Sequence, residues 1–279
     1  MAIHSRKKPC EEIFDSIKAL LAEGTVPWVQ PWVVNSCGIV SHCKGRPYGY
    51  RNRMLLRYGG EYATFHQVKI EGGTVNKGAH GQSVWFSSDI EKKDADGEVV
   101  GTYWLLRRYV VFNVKDTSLK PKYENLWGGT PPPQGKPLDV LLSYLQREGI
   151  EYNDGGSEAF YSPADDKMQV PSFGNFGGNE ARYWSTVFHE VAHSTGAERR
   201  LDRVKGKTFG DSNYAREELV AEMTAALCLG RLGFDSRDAI TQSAGYIASW
   251  QKRITQVRPD EFGAVCMEAE EACNYIFGK

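Results

Sequence analysis

Several features that define other classes of protein are missing from this sequence of 279 residues. Its six cysteines include no Cys-x-x-Cys pair, so neither a disulfide framework nor a compact zinc site is indicated. Cys37 and Cys43 are close enough in sequence, with His42 beside Cys43, to be considered as metal ligands. Reduced thiols in a cytosolic protein are the simpler interpretation. No apolar run reaches the ~18 residues of a transmembrane helix, and charges such as Glu11 and Lys18 interrupt any secretory signal. We therefore expect a cytoplasmic protein without a membrane partner.

Charge of one sign is not in excess over the whole chain, whose net charge is −1. The charge is nevertheless distributed unevenly. Residues 1–130 carry 18 Lys and Arg against 13 Asp and Glu, whereas residues 131–279 carry 16 against 22. Because a basic surface attracts polyanions and an acidic one does not, this difference suggests separate partners for the two halves.

The pattern of elements predicts an α+β protein with two domains. Residues 9–23 form an amphipathic helix, and residues 82–114 are expected to form a long β-hairpin in an antiparallel sheet. Residues 121–137 contain five prolines and three glycines, which is typical of a linker. We therefore place one α+β domain at residues 1–120 and a second domain at residues 138–279.

The second domain is predicted to be mainly helical with a small sheet. Residues 151–172 contain two or three short strands separated by turn signals. Four later helices are expected, at about 179–195, 213–232, 238–257 and 260–277. In the first domain, the two prolines of residues 26–32 favour an extended path, and residues 61–73 are predicted to form a short helix.

The stretch FHEVAHSTG, residues 188–196, carries the most specific chemical signal in the chain. On a helix, His189 and His193 lie one turn apart, so both imidazoles can reach one cation at about 2.0–2.1 Å. Glu190 stands beside the first ligand, where it can act on a water molecule. His-Glu-x-x-His on a helix is the zincin signature, and a helix with two hydrogen-bonded histidines is the alternative.

A catalytic zinc keeps three protein ligands, so a third is needed downstream. No histidine follows His193, which excludes a three-histidine site. In YAREELVAEM, residues 214–223, Glu218 and Glu222 are four apart on one helix face. Glu-Glu-x-x-Ala-Glu resembles the Asn-Glu-x-x-Ser-Asp run of thermolysin-like zincins. That resemblance implies Glu218 as the third ligand and Glu222 as the acid that orients a ligating histidine. Glu217 is the alternative ligand. For Glu217 and Glu218 together, a solvated helix face that binds no metal is the alternative interpretation.

This ligand set predicts one divalent metal ion. Two histidines and one glutamate favour Zn²⁺, with Mn²⁺ or Co²⁺ as alternatives. The ion would polarise a carbonyl and acidify water, and Glu190 would take the water proton and pass it to a leaving nitrogen. Tyr183 and Tyr214 are candidate donors to the oxyanion. The sequence therefore favours a zinc-type metallopeptidase of unknown substrate, and whether the chain is an enzyme at all stays open.

Several motifs occur along the chain in an order similar to that of a known family. They are VPWVQPW, GRPYGYRNRMLL, YATFHQV, GGTVNKGAHGQSVWF, YVVFNV, the zincin helix, YIASWQKRI and EAEEACNYIFG. In this order they resemble the antirestriction proteins of the ArdC type, which conjugative plasmids and phages carry. The first half also resembles the single-stranded-DNA-binding part of plasmid TraC primases. One departure is the run at residues 47–52, where family members more often have Pro-Tyr-Arg-Gly-Ile-Asn.

The resemblance implies an N-terminal domain that binds single-stranded DNA non-specifically and a C-terminal zincin-like metallopeptidase domain. It also implies a role in protecting incoming plasmid or phage DNA from host restriction, with a host protein as the potential peptidase substrate. A second hypothesis is a metallopeptidase whose N-terminal domain recognises protein and has no nucleic-acid role. A third is a zincin fold that binds metal and cleaves nothing.

Binding of single-stranded DNA needs cations for the phosphates and exposed rings for the bases. The first domain interleaves both kinds of side chain, and in the strand near its end Arg107 and Arg108 lie on opposite faces. Rings in strands are otherwise more often core residues, and scattered arginines are often simply solvated. The candidate DNA-binding residues are Arg46, Tyr48, Arg51, Arg53, Lys77, Trp85, Arg107 and Arg108.

Overall fold

The structure is a computed structural model that describes residues 8–30, 33, 38–93, 98–123, 135–203, 212–239 and 244–279. Its N-terminal half contains α1 (Pro9–Ala22), β1 (Ile39–Ser41), α2 (Tyr50–Leu55), β2 (Gly60–Thr64), α3 (Phe65–Ile70), β3 (Gln82–Lys93) and β4 (Val99–Asn113). Its C-terminal half contains α4 (Pro137–Glu148), β5 (Glu151–Asp154), β6 (Phe160–Ser162), β7 (Lys167–Val170), α5 (Glu180–Thr195), α6 (Ser212–Arg231), α7 (Ser236–Ala239), α8 (Ala244–Ile254) and α9 (Phe262–Ile276). The predicted α+β class is confirmed, and none of the described helices is long and apolar enough to cross a membrane.

Within the residues that the structure describes, each half contains one small sheet. The N-terminal sheet has the strand order β1-β2-β4-β3, in which only the β1–β2 pair is parallel. The predicted hairpin is confirmed, with Gln82 opposite Val111 and Phe86 opposite Arg107. The C-terminal sheet has the order β5-β7-β6, which leaves one edge of β6 free of a strand partner among the described residues.

The prediction of a helix over residues 61–73 is wrong for its first part. Gly60–Thr64 form β2, because Tyr62 and Ala63 are buried between β1 and β4, and a strand allows both neighbours to pair. The helix begins only after Thr64, whose hydroxyl accepts from the Gln67 backbone N–H while the Gln67 side chain accepts from the Thr64 N–H.

Two further elements differ from the sequence predictions. Pro27–Val29 form a 3₁₀ turn instead of an extended segment, since proline at the first position of a helical turn loses no hydrogen bond. The helix expected over residues 238–257 ends at Ile254 in α8, and residues 240–243 lie outside the described part of the chain. Of the predicted linker, residues 124–134 lie outside the described part of the chain.

The main hydrophobic core contains residues from both halves of the chain. Phe14 of α1 meets Phe262 of α9 edge to face at 5.7 Å, and Trp28 meets Trp250 of α8 at 5.3 Å. Buried rings in such pairs contribute beyond their buried area. A smaller cluster under the N-terminal sheet includes Tyr62. The shared core brings the N-terminal half against the helices that carry the zincin motif.

Candidate metal centre and DNA face

The zincin motif lies on α5, whose sequence explains its start and its end. The Asn179 side chain accepts from the Arg182 backbone N–H and caps the helix, and Glu180 in the first turn favours the helix dipole. At the other end, the Gly196 N–H donates to the His193 carbonyl, and the chain turns away. Val187, Phe188, Val191 and Ala192 are buried, which leaves the two histidines at the edge of the packed face.

The helix α6 approaches α5 through small buried side chains. Ala221 and Ala225 are fully or almost fully buried, so the two helix backbones can come close. Leu219 and Met223 fill the remaining space in the core. This packing places the acidic residues of α6 directly opposite the two histidines of α5.

The three predicted ligands come together in the structure. His189 Nε2 and His193 Nε2 lie 3.1 Å apart, and the two oxygens of Glu218 lie 3.4 Å from His193 Nε2 and 3.8 Å from His189 Nε2. Ligand atoms in a tetrahedral zinc site lie about 3.3 Å from one another, given bonds of about 2.0–2.1 Å. The donor set therefore fits one divalent ion. Within the described ranges, no other group of three His, Cys, Asp or Glu brings its ligand atoms within 4.8 Å.

Each histidine turns its second nitrogen to a carboxylate. His189 Nδ1 lies 3.4 Å from Glu222 Oε2, and His193 Nδ1 lies 3.6 Å from Glu217 Oε1. The alternative ligand Glu217 thus faces the Nδ1 atom of His193 and not the pair of Nε2 atoms. Its carboxylate accepts from Arg203 Nη2 at 2.9 Å and from Arg203 Nε at 3.2 Å. Such carboxylate–histidine contacts fix the ring orientation and leave Nε2 as the ligating atom.

Charge shapes the protonation of this cluster. Burial alone lowers the pKa of His193, but Glu217 and Glu218 outweigh it and raise that pKa to about 10. Burial raises the pKa of Glu218, but the two histidines and Arg253 outweigh it and bring that pKa to about 2. The arrangement therefore favours positive charge between its carboxylates, as a metal site requires.

Glu190 is buried beside the two ligands. Burial raises the pKa of this carboxyl, and the neighbouring histidines oppose that rise. The backbone of Tyr161 in β6 also opposes this rise in the pKa of Glu190. A buried carboxylate beside two histidines can accept a proton within the site.

Two contacts at this centre were not foreseen from the sequence. Arg253 Nη1 donates to Glu218 Oε2 at 3.1 Å, and the Tyr246 hydroxyl donates to Glu222. Both side chains come from α8 and are seven residues apart, a spacing that could have indicated one helix face. Of the two expected oxyanion donors, Tyr214 lies beside Glu218, whereas the Tyr183 hydroxyl contacts that of Tyr152 at 3.3 Å.

His42 and Cys43, which the sequence offered with Cys37 as possible metal ligands, both contact Glu71. Glu71 accepts from His42 Nε2 at 3.0 Å and from Cys43 Sγ at 3.2 Å, and Lys122 Nζ lies 2.6 Å from the same carboxylate. The Lys122 ammonium therefore pairs with the carboxylate that His42 and Cys43 share. Cys37 lies outside the described residues.

One face of the hairpin carries exposed rings beside an arginine. Phe86 and Tyr109 are 45% and 41% exposed, and their ring centres are 5.7 Å apart. Arg107 is opposite Phe86 in the register, so its side chain lies on the same face. We call Phe86, Arg107 and Tyr109 the candidate DNA face. Phe86 was missed; it lies two residues from the buried Val84, on the same face of β3, where the buried cluster ends.

Several predicted DNA contacts are core residues instead. Tyr48 is 6% exposed, Trp85 5% and Arg53 3%. A buried ring cannot stack on a base, and the Arg53 guanidinium donates to the backbone carbonyls of Val33 and Tyr48. The α1 and α2 helices cover the face of the sheet that carries Trp85. Tyr48 lies on the opposite face, where its ring packs against Tyr62 and Phe86.

The other predicted DNA-binding arginines and lysine are more accessible. Arg51 is half-buried and donates to the Trp85 carbonyl at 3.2 Å. Arg108 lies on the opposite face from Arg107 and pairs with Glu12 at 3.5 Å. Arg46 and Lys77 are exposed.

Two family models match the chain. Residues 7–112 match the N-terminal domain of anti-restriction factor ArdC, and residues 141–264 match a zincin-like metallopeptidase domain. The protein y4eC of Sinorhizobium fredii is 31% identical over 267 residues, which cover 88% of this chain and 83% of that protein.

Longer relatives and solved structures are also similar. Two DNA primases TraC of Escherichia coli are 29% and 27% identical over 97% of this chain, which spans only 20% and 27% of their lengths. The antirestriction protein ArdC from plasmid R388 has been solved metal-free and Mn(II)-bound. These structures match with TM-scores of 0.72 and 0.71 at 27% and 25% identity, over 97% of both chains.

Proposed function

The chain belongs to the ArdC family of antirestriction proteins, and from this premise we propose that it binds single-stranded DNA and one divalent metal ion. The DNA would bind the N-terminal half without sequence preference, and the ion would bind the zincin-like C-terminal half. Together they would protect incoming plasmid or phage DNA from host restriction. We also propose a division into domains at residues 1–120 and 138–279, which the limits of the two family matches support.

The metal proposal rests on the short distances between the ligand atoms of three side chains. His189 Nε2, His193 Nε2 and the Glu218 carboxylate lie 3.1 to 3.8 Å from one another. Glu222 and Glu217 contact the opposite nitrogens of the two rings and would orient them as ligands. Zn²⁺ suits this donor set, and Mn²⁺ is supported by the relative solved with that ion.

The residues around this site suit the hydrolysis of a peptide bond. A bound divalent ion would polarise the carbonyl and make water acidic. Glu190, buried beside the ligands, would take a proton from water and return it to the leaving nitrogen. Tyr214 and Arg253, both beside Glu218, would supply donors to the developing oxyanion. A host protein is the substrate class that this chemistry suits.

The candidate DNA face supports the nucleic-acid proposal. Phe86 and Tyr109 offer two exposed rings on which bases can stack, and Arg107 lies beside them for a phosphate. The N-terminal half is also the basic half of the chain. Rings and cations in this arrangement do not read base edges, so we propose binding that depends little on sequence.

Metal binding is tested by titrating the full chain with Zn²⁺ and Mn²⁺ in competition with a chelating dye. We expect one ion per chain in the unchanged protein and no specific ion in His193→Ala, because two remaining ligands cannot hold it. Equal binding by both proteins would place the ion elsewhere and reject this centre.

DNA binding is tested by fluorescence anisotropy of the full chain with labelled single- and double-stranded oligonucleotides at two salt concentrations. The proposal requires tighter, salt-sensitive binding of the single strand. Absence of binding at low salt would leave a protein substrate as the partner of the N-terminal half.

A further inference from the structure

One side of α8 rests on the N-terminal half of the chain. The Gln251 Nε2 group donates to the Leu21 carbonyl at the end of α1, at 2.9 Å. Trp250 packs edge to face on the fully buried Trp28 at 5.3 Å. These contacts fix where α8 lies relative to α1.

The same helix holds two carboxylates of the metal centre. The Tyr246 hydroxyl donates to Glu222 Oε1, which leaves Glu222 Oε2 to face His189 Nδ1 at 3.4 Å. Arg253 Nη1 donates to Glu218 Oε2 at 3.1 Å. Each oxygen of Glu222 therefore has a different partner, and the carboxylate cannot rotate without losing one of them.

From this geometry we infer that Tyr246 is a positioning residue of the metal centre, and that the N-terminal half supports metal binding by holding α8. The inference rests on the proposed metal function. It identifies a path from Leu21 and Trp28 through α8 to Glu222 and so to the ligand His189. Each step is a direct contact between packed side chains or helix ends.

The physical reason is the cost of orienting a ligand. His189 binds best when its ring is already turned with Nε2 towards the ion, and Glu222 keeps it so only if its own oxygens are fixed. Removal of the carboxylate that orients a ligating histidine typically weakens metal binding about 10- to 100-fold, which sets the upper limit for losing a partner of that carboxylate. Movement of α8 away from α1 would withdraw the Tyr246 donor and should act in the same direction.

The test compares Tyr246→Phe with Tyr275→Phe in the full chain. Tyr275 also donates its hydroxyl to a glutamate, Glu148 at 3.0 Å, but that glutamate touches neither metal-site histidine in the described contacts. The dissociation constants for Zn²⁺ and Mn²⁺ are measured by chelator competition, and circular dichroism checks the fold. We expect Tyr246→Phe to weaken binding measurably, by no more than the roughly 10- to 100-fold loss expected on removal of Glu222 itself, and Tyr275→Phe to leave it unchanged. Equal constants for the two variants would overturn the inference.

A double-mutant cycle with Glu222→Gln tests the contact itself. If Tyr246 acts through Glu222, the double variant should lose little more affinity than Glu222→Gln alone. Losses that multiply independently would show that Tyr246 acts by another route. This cycle also remains informative if Tyr246→Phe lowers the overall stability of the protein.

The contribution of the N-terminal half is tested at Gln251. Gln251→Ala removes the hydrogen bond to Leu21 and should weaken metal binding about two- to tenfold, whereas Lys252→Ala on the exposed side of α8 should not. Identical constants for these variants would reject the role of the N-terminal half. If the unchanged protein binds no ion, the proposed metal centre fails and the inference with it. If the ion binds and Tyr246→Phe matches the unchanged protein, the inference alone fails.

Discussion

The metal centre and the candidate DNA face use charged and aromatic side chains in opposite ways. At the metal centre, His189 and His193 each contact a carboxylate through Nδ1, which leaves the two Nε2 atoms facing each other. At the DNA face, Phe86 and Tyr109 are exposed, and Arg107 makes no ion pair among the described residues. The side chains of the metal centre are therefore fixed by contacts within the protein, whereas those of the DNA face are exposed and available to a ligand.

This difference follows from what each region would bind. A small ion needs ligand atoms held within a fraction of an ångström, so supporting contacts raise its affinity directly. A flexible strand of nucleic acid brings its own variety of shapes, and a few rings and cations accept many of them. Substitutions should therefore have steep effects in the metal centre and shallow effects on the DNA face.

The steepest effect is expected for Glu190→Gln. The amide keeps the size of the side chain but cannot accept a proton, so any peptide hydrolysis should fall about 10²- to 10⁴-fold. Metal affinity should stay the same because Glu190 is not a ligand. Peptide cleavage and chelator competition are measured on the same samples. Full hydrolysis in this variant would remove Glu190 from the mechanism.

Glu218→Ala and Glu217→Ala separate a ligand from a supporting carboxylate. We expect Glu218→Ala to weaken metal binding on the order of 10²- to 10³-fold, since one ligand is lost. Glu217→Ala should weaken metal binding less and lower stability by about 3 kcal/mol, because it leaves the buried Arg203 without its ion pair. Metal titration and thermal unfolding give the two quantities. The reverse order in the titration would make Glu217 the ligand.

Phe86→Ala tests the candidate DNA face. Loss of one stacked ring should weaken binding of single-stranded DNA by about 1–3 kcal/mol. Phe65→Ala is the matched control, because Phe65 is an exposed ring on α3 outside this face. Anisotropy titrations with one oligonucleotide compare both variants. Equal losses would mean that the DNA does not stack on the hairpin.

The smallest effect is expected for Arg107→Ala against Arg108→Ala. The two arginines are neighbours in β4 but lie on opposite faces, and Arg108 pairs with Glu12. Arg107→Ala should lower the dependence of log K on log salt by about 0.7, the contribution of one phosphate contact on a single strand. Arg108→Ala should leave that slope unchanged. The slope is read from titrations at several salt concentrations, and the opposite result would move the DNA to the other face.

Local patterns predicted the metal centre better than the DNA face. The spacing of His189, His193 and Glu218 on two helices determines which side chains can meet once the helices pack. Burial of Trp85 instead depends on helices that cover one side of the sheet, and burial of Tyr48 depends on its packing against Tyr62 and Phe86 on the other side. The strand β2 was missed for a similar reason. The helix α2 separates it from its partner β1, and α3 and β3 separate it from its partner β4. Tyr246 and Arg253 were missed because their seven-residue spacing indicates a shared helix face but not which residues that face contacts.

The core shared by the two halves has a consequence for fragments of this protein. Phe14 and Trp28 are covered by Phe262 and Trp250, so either half alone would expose these rings to water. A single peptide-bond cut between residues 123 and 135 should leave two pieces that stay together on a sizing column and separate only in denaturant. Pieces produced separately should be poorly soluble and should regain both binding activities when refolded as a mixture.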